Sequence, residues 1–281
     1  MEPDIRKLLY FDTLYPLPED DIMIEEMQNA ARKAGEIMLD RDGLTIETKG
    51  TKENLATNAD RKVELFLKRE LMDILPESSF LGEEGGRSGD GAGEWMVDPI
   101  DGTANYARDL RVSTISIAFR EDGETKYGIV YQPYTKEMFW AVKDGGSFMN
   151  GESLSVSNRP IGNSMFCTSW SAYDKSRANM CFRISERIFP VCEDIRRFGT
   201  AAYELSLLAQ GKVDIYYEPG LQPWDFAAGA LILREAGGIC GAVLGPEPYD
   251  REGPFIAANS RSGFEYVKKV VKEEMSKAGE L

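Results

Sequence analysis

The stretch EWMVDPIDGTANY, Glu94 to Tyr106, decides how this chain is read. Its first residues predict a strand that ends at Asp98, and Pro99 fixes the backbone beyond it. Asp101-Gly102-Thr103 then predicts a turn or helix start whose free backbone N–H groups point outward. Asp98 and Asp101 lie three residues apart across this corner. Two hard oxygen ligands beside an anion-binding turn suit a magnesium-bridged phosphate. A plainer reading also fits, in which Asp101-Gly102-Thr103 is only a helix cap with a turn glycine.

Two flanking motifs bear on that choice. Upstream, SSFLGEEGG places Glu83 and Glu84 side by side after a short apolar run. At a strand end successive side chains point to opposite sides, so one glutamate would face a metal and the other outward; the alternative is a solvated surface pair. Downstream, QPWDFAAGALILREAGG puts Asp225 at a helix start, as a cap or as a cap that also binds metal.

Further out, the periodicity organises the chain. Residues 1–20 form an N-terminal extension. Ile24, Met27, Ala31, Ala34 and Met38 predict a helix from Asp21 to about Leu39; Val63, Leu67 and Leu71 predict another from Asp60 that Pro76 stops. The period then changes to strands at Glu94 to Val97, Val112 to Arg120, Lys126 to Tyr131 and Glu137 to Val142. KDGG at Lys143 to Gly146 and NGE at Asn150 to Glu152 would turn successive antiparallel strands. The glycine-rich run 85–94 predicts a mobile loop. Around Pro160 the pattern alternates: a strand near Phe166, helices at Ser176 to Phe189 and Thr200 to Gln210, a strand at Val213 to Tyr217, and a helix from Asp225 to Ala236 stopped by Gly237 and Gly238. The division is therefore 21–158 and 159–281.

Composition narrows the chemistry. The 281 residues carry 33 Lys and Arg against 47 Asp and Glu, a formal net charge of −14, and no histidine. The acidity disfavours nucleic acid and anionic membranes as partners, so an anionic substrate would need a bound cation. The missing imidazole removes serine–histidine and cysteine–histidine nucleophiles and histidine zinc sites. No Walker loop, dinucleotide fingerprint, nucleophile elbow or EF-hand loop occurs. Asp98 and Asp101 form D-x-x-D, not the D-x-D of an aspartyl nucleophile, which favours an activated water. Cys167, Cys181, Cys192 and Cys240 lack C-x-x-C spacing, and the N-terminus lacks a signal-like core; both suit a cytoplasmic protein.

GEE at Gly82 to Glu84, WMVDPIDGTANY at Trp95 to Tyr106 and PWDFAAGALILREAGG at Pro223 to Gly238 closely resemble the motifs of the inositol monophosphatase family. This group of lithium-sensitive, magnesium-dependent phosphatases includes fructose-1,6-bisphosphatases and 3′-phosphoadenosine 5′-phosphate phosphatases. ATNADRKVE at Ala56 to Glu64 and FGTAAYELSLLAQGKVDIYYE at Phe198 to Glu218 agree. The resemblance implies a mixed α and β, five-layer α-β-α-β-α sandwich with the site between its two sheet units. By motif position, Glu83, Asp98 and the Ile100 carbonyl would hold one Mg2+; Asp98, Asp101 and Asp225 a second; Glu83 and Asp60 a third, weaker one. Gly102 and Thr103 would bind phosphate through their N–H groups. Thr103, backed by Asp60, would orient the water, with Glu83 and Asp60 catalytic. Gly199, Thr200, Ala201, Glu218 and Asp225 would contact the substrate.

A carboxylate at Glu218 would suit a polyol and repel a second phosphate, whereas Arg196 and Arg197, unless a surface pair, would favour a bisphosphate. The implied protein is a homodimeric inositol monophosphatase, with fructose 1,6-bisphosphate or a nucleotide bisphosphate as alternative substrates. A regulatory binding role on the same fold is the alternative of another class. ARDLR at Ala107 to Arg111 departs from the family pattern without touching a proposed ligand.

Overall fold

The computed structural model describes residues 19–280 except 51, 53, 247, 248 and 250. Most of the N-terminal extension, residues 1–18, lies outside the described residues. In chain order the described elements are α1 (Glu19–Leu39), β1 (Ile46–Thr48), β2 (Leu55–Thr57), α2 (Asn58–Ile74), β3 (Ser79–Gly82), β4 (Gly86–Ser88), β5 (Glu94–Asp101), α3 (Thr103–Ala107), β6 (Thr114–Glu121), β7 (Glu124–Gln132), β8 (Glu137–Val142), β9 (Gly146–Met149) and β10 (Glu152–Ser153). They continue with β11 (Met165–Thr168), α4 (Ala178–Ile188), β12 (Asp194–Arg196), α5 (Ala201–Ala209), β13 (Ile215–Leu221), α6 (Pro223–Glu235), β14 (Ile239–Ala242), β15 (Gly253–Ala258) and α7 (Arg261–Ala278).

Side-chain alternation along the strands builds the layers. In β5, Trp95 and Val97 face a cluster made with α1 and α2, including Met27, Val63 and Leu67, while Met96 faces the opposite way into a cluster with α5 and α6. The second sheet repeats the device: Tyr216 of β13 joins α5 and α6, whereas Ile215 and Tyr217 join α4 and α7. Helix pair, sheet, helix pair, sheet and helix pair therefore stack in that order, the five-layer α-β-α-β-α sandwich that the resemblance implies. The first sheet has eight strands in the order β10-β9-β8-β7-β6-β5-β3-β4, and the second has five in the order β12-β11-β13-β15-β14. Helices α5 and α6 cover the first sheet with residues from the second half of the chain. Their faces are so apolar that Leu205, Leu208, Phe226, Ala228 and Ile232 are completely buried. Among the described residues no helix is long and apolar enough to cross a membrane.

Local sequence explains the element ends that frame the site. Thr57 caps α2 in a reciprocal box: its side chain accepts from Ala59 N and Asp60 N, and the Asp60 carboxylate accepts from Thr57 N. Pro223 opens α6, where it costs no hydrogen bond, and Asp225 occupies its first turn. The hairpin turns expected at 143–146 and 150–152 join β8 to β9 and β9 to β10.

Three expectations change. Strand β5 does not stop at Asp98 but runs through Pro99 to Asp101, with a register shift against β6 between Asp98 and Asp101. The bulge absorbs the proline, which has no N–H for the ladder. The glycine-rich segment 85–94 contains β4, paired antiparallel with β3 from Phe80↔Ser88 to Gly82↔Gly86, so its first part is a hairpin arm. The first helix starts at Glu19, two residues before the expected Asp21.

Candidate active site

Three helix starts and the ends of three strands meet at one cavity of about 480 Å³ between the sheets. Strand β3 delivers Glu83, β5 delivers Asp98, Ile100 and Asp101, and the turn into α3 adds Gly102 and Thr103. From the second half, the entry to α5 brings Gly199, Thr200 and Ala201, β13 brings Glu218 and α6 brings Asp225. Every site residue named from the sequence lines this cavity except Asp60, which stands behind it: Thr103 Oγ1 is 3.2 Å from Asp60 Oδ1 and 3.1 Å from the Ile100 carbonyl oxygen.

Gly102 has φ 84°, a left-handed conformation, and a Cβ there would stand 2.6 Å from Thr200 Cγ2. Only glycine serves both the turn and the close approach. The two halves are then joined by hydrogen bonds. The Asp101 carboxylate accepts from Ala201 N at 3.1 Å, Ala202 N at 2.8 Å and Thr114 Oγ1 at 3.3 Å, capping α5 from across the cavity. Asn105 Nδ2 donates to the Val112 carbonyl at 2.8 Å and to the Phe198 carbonyl at 2.7 Å. Tyr106 Oη donates to the Met38 carbonyl at 2.8 Å and roots α3 on the end of α1.

The electrostatics are those of crowded carboxylates short of cations. Burial, then the charges of Glu83, Asp101 and Asp225, pushes Asp98 well above the usual carboxylate range. Asp225 rises for the same reasons, burial first and then Glu83 and Asp101. Burial lifts Asp101 to about 7 although the amides of Ala202 and Ala201 pull the other way. Burial lifts Asp60 to about 6 against its bonds from Thr57. Glu218 reaches about 7 through burial, opposed by Ser169, Tyr216 and Arg197. Asp98 is 3 % exposed and Asp60 fully buried, so water does little to relieve them. Lys49, in the connection after β1, bonds Glu83 Oε1 at 3.0 Å and also Glu84. Burial opposes its charge, yet the two glutamates hold its pKa above the ordinary lysine range.

Among the described residues no three His, Cys, Asp or Glu groups close around a single point to enclose an ion. Each carboxylate is turned to a partner: Glu83 to Lys49, Asp101 to the α5 amides, Asp225 to Gln222 N at 2.7 Å and Asp98 to Ile100 N at 3.0 Å. The donor set still fits a hard divalent cation. It is all oxygen, its members raise one another's pKa, and Asp98, Asp101 and Asp225 make no ion pair among the described residues. Thr200 Oγ1 is buried without a hydrogen-bond partner there, a polar atom left open where substrate contact is expected.

Two expectations need correction at this level. Glu83 and Glu84 do not part to opposite sides, because Lys49 draws both carboxylates together. Arg196 and Arg197 are not a common surface pair: Arg196 bonds Asp194, while Arg197 lines the cavity and lies 5.9 Å from the Trp170 ring centroid. Sequence reasoning also passed over Lys49, Asn105, Glu64 and Tyr173, the last of which lines the cavity. Glu64 carried a signal, since it follows Asp60 by one helical turn and shares its inward face.

The family model described as "Inositol monophosphatase family" matches residues 19–276. The chain is 35% identical over 239 residues to the Nus factor SuhB of Salmonella typhimurium, covering 83% of this chain and 89% of that protein. It superimposes on the extragenic suppressor protein suhB of Bartonella henselae with a TM-score of 0.83 at 30% identity, over 90% of this chain and 99% of that one. It is similar to an IMPase of Thermotoga maritima, with TM-score 0.81, 30% identity, and coverage of 92% and 100%.

Proposed function

Because this chain belongs to the inositol monophosphatase family, we propose that it is a Mg2+-dependent phosphomonoesterase acting on inositol monophosphate. The observation that carries the reading is that Asp98, Asp101 and Asp225 meet at one cavity without cationic partners, beside the Gly102–Thr103 turn. Glu83, Asp98 and the Ile100 carbonyl would hold one Mg2+, Asp98, Asp101 and Asp225 a second, and Glu83 with Asp60 a third. Bound there, the metal supplies a lowered pKa for water and neutralisation of the phosphate charge.

The chain's own groups do the rest. The N–H groups of Gly102 and Thr103 open α3 toward the cavity and would hold the phosphate oxygens. The Thr103 hydroxyl gives its hydrogen to Asp60 or to the Ile100 carbonyl, which leaves its lone pairs to orient an attacking water. Asp60, and Glu83 once parted from Lys49, would take the proton. Gly199, Thr200 and Ala201 would line the alcohol side, and Glu218 would accept bonds from polyol hydroxyls and discourage a second phosphate. Arg197 on the same cavity supports fructose 1,6-bisphosphate as a further substrate. The division into 21–158 and 159–281, a homodimer and a cytoplasmic setting belong to the same reading.

Phosphate release from inositol 1-phosphate and fructose 1,6-bisphosphate, assayed with Mg2+ and with chelator, tests it. Turnover that chelator abolishes is expected; silence on both substrates with Mg2+ present would refute it. A second reading, a regulatory binding protein on this fold, is favoured by the name Nus factor given to the relatives. An Asp98→Asn variant that keeps its cellular role without turnover would select it.

A further inference from the structure

Glu64 is 5 % exposed, does not line the cavity, and makes no ion pair among the described residues. Both of its oxygens are used: Oε2 accepts from Glu84 N at 2.7 Å and Oε1 from Gly85 N at 2.7 Å. These consecutive amides belong to the turn between β3 and β4 that carries Glu83. The turn is shaped around the carboxylate. A Cβ at Gly82 would stand 2.4 Å from Glu64 Oε2, and one at Gly85 would stand 2.8 Å from Oε1. Burying a carboxylate beside Glu83 and Glu84 is unfavourable, and burial does push its pKa up. Two adjacent amides, each bonded to its own oxygen, require a carboxylate there, because a neutral amide side chain would turn a donor toward one of them.

We propose that Glu64 is a positioning residue for the metal site: by binding the amides of Glu84 and Gly85 it fixes the turn that presents the Glu83 carboxylate. Helix α2 then carries two functions one turn apart, Asp60 behind Thr103 and Glu64 beneath the glutamate turn. The two glycines of GEEG are there to admit the Glu64 carboxylate. This rests on the metal-phosphatase reading.

The test is Mg2+ titration by calorimetry on the full chain, for wild type, Glu64→Gln and Gly85→Ala, with thermal melting in chelator alongside. Glu64→Gln keeps one acceptor but turns a donor toward an amide; Gly85→Ala pushes a methyl against Oε1 and leaves the charge intact. Either change should raise the Mg2+ dissociation constant by about ten- to a hundredfold. At saturating Mg2+ the KM for inositol 1-phosphate should match wild type, with turnover largely recovered. Variants that bind Mg2+ within about twofold of wild type, whatever their melting temperature, would overturn the inference and leave the phosphatase reading standing. A wild type that takes up no Mg2+ overturns both.

Discussion

Two regions bury carboxylates, and they do opposite things with them. Between α4 and α7, Glu274 has a side chain 1% exposed and is met by Arg183 Nε at 2.9 Å, Arg187 Nη1 at 2.9 Å and Lys277 Nζ at 2.6 Å. The Lys277 bond foremost, then those from Arg183 and Arg187, outweighs burial and takes its pKa down to about 2. At the cavity, Asp98, Asp101 and Asp225 receive backbone amides and hydroxyls but no cation, and their pKa values go up. The chain supplies counter-charges where a carboxylate ties two helices together and withholds them from the three cavity aspartates, although Lys49 meets Glu83 beside them. That contrast is what the proposed metal site requires of its aspartates.

The contrast can be broken most directly at Asp98. Replacing it with asparagine should cut phosphate release about a thousandfold or more, the equivalent of roughly 4 kcal/mol of transition-state stabilisation. In chelator the variant should melt no lower than wild type, because a mutually repelling charge is gone. Retained turnover would place the cavity carboxylates with Glu274 as structural.

Next in size is the opposite pH dependence of the two regions. Asp60, Asp101 and Glu218 have folded pKa values raised to about 6, 7 and 7. The folded chain therefore binds more protons than the unfolded one above about pH 4, and metal-free stability falls as pH rises from there to about 7. Saturating Mg2+ should reverse that loss, with a rise in melting temperature on the order of 5–10 °C near pH 7.5. Glu274 has the opposite sign: its depressed pKa contributes stability above the ordinary glutamate range that is lost as pH falls toward about 2. Melting curves against pH in chelator that climb between pH 5 and 8 would contradict the assignment for the cavity.

Glu274→Gln should cost about 1–2 kcal/mol, discounted because Arg183, Arg187 and Lys277 remain partly in water, and should leave the KM for phosphate ester unchanged. Denaturant midpoints read it. The smallest effect belongs to Glu218→Gln. Losing one acceptor should raise the KM for inositol 1-phosphate by about three- to tenfold and move the rate ratio toward fructose 1,6-bisphosphate. An unchanged ratio would remove Glu218 from substrate selection.

What the sequence disclosed followed from locality. Asp98, Asp101, Gly102 and Thr103 lie within one corner, and helix and strand periods wrote the layers into Val63, Leu67, Trp95 and Val97. The short strands β1, β2, β12 and β14 offer too few residues to show a period, and β15 and α7 also went unassigned, although Phe264, Val267, Val271 and Met275 of α7 recur at helical spacing. Partner choice over distance was equally hidden. Nothing local to Lys49 says that it reaches Glu83 and Glu84, and nothing near Asp101 says that its carboxylate caps a helix a hundred residues on. The β5 bulge was missed because Pro99 read as a stop, when the ladder shifted its register to pass it.

The placement of α5 and α6 between the sheets has a consequence for how the chain is made. The inward face of the first sheet, with Met96, Ala118, Val130, Phe139 and Ala141, is complete once β8 ends at Val142, yet its cover is not finished until Glu235. At ribosomal rates that interval lasts roughly 5 to 20 s, during which an apolar sheet surface waits without its helices. The nascent chain therefore has no natural resting point at its midpoint, and a product truncated before α5 would be born sticky and without the walls of the cavity that α5 and α6 supply.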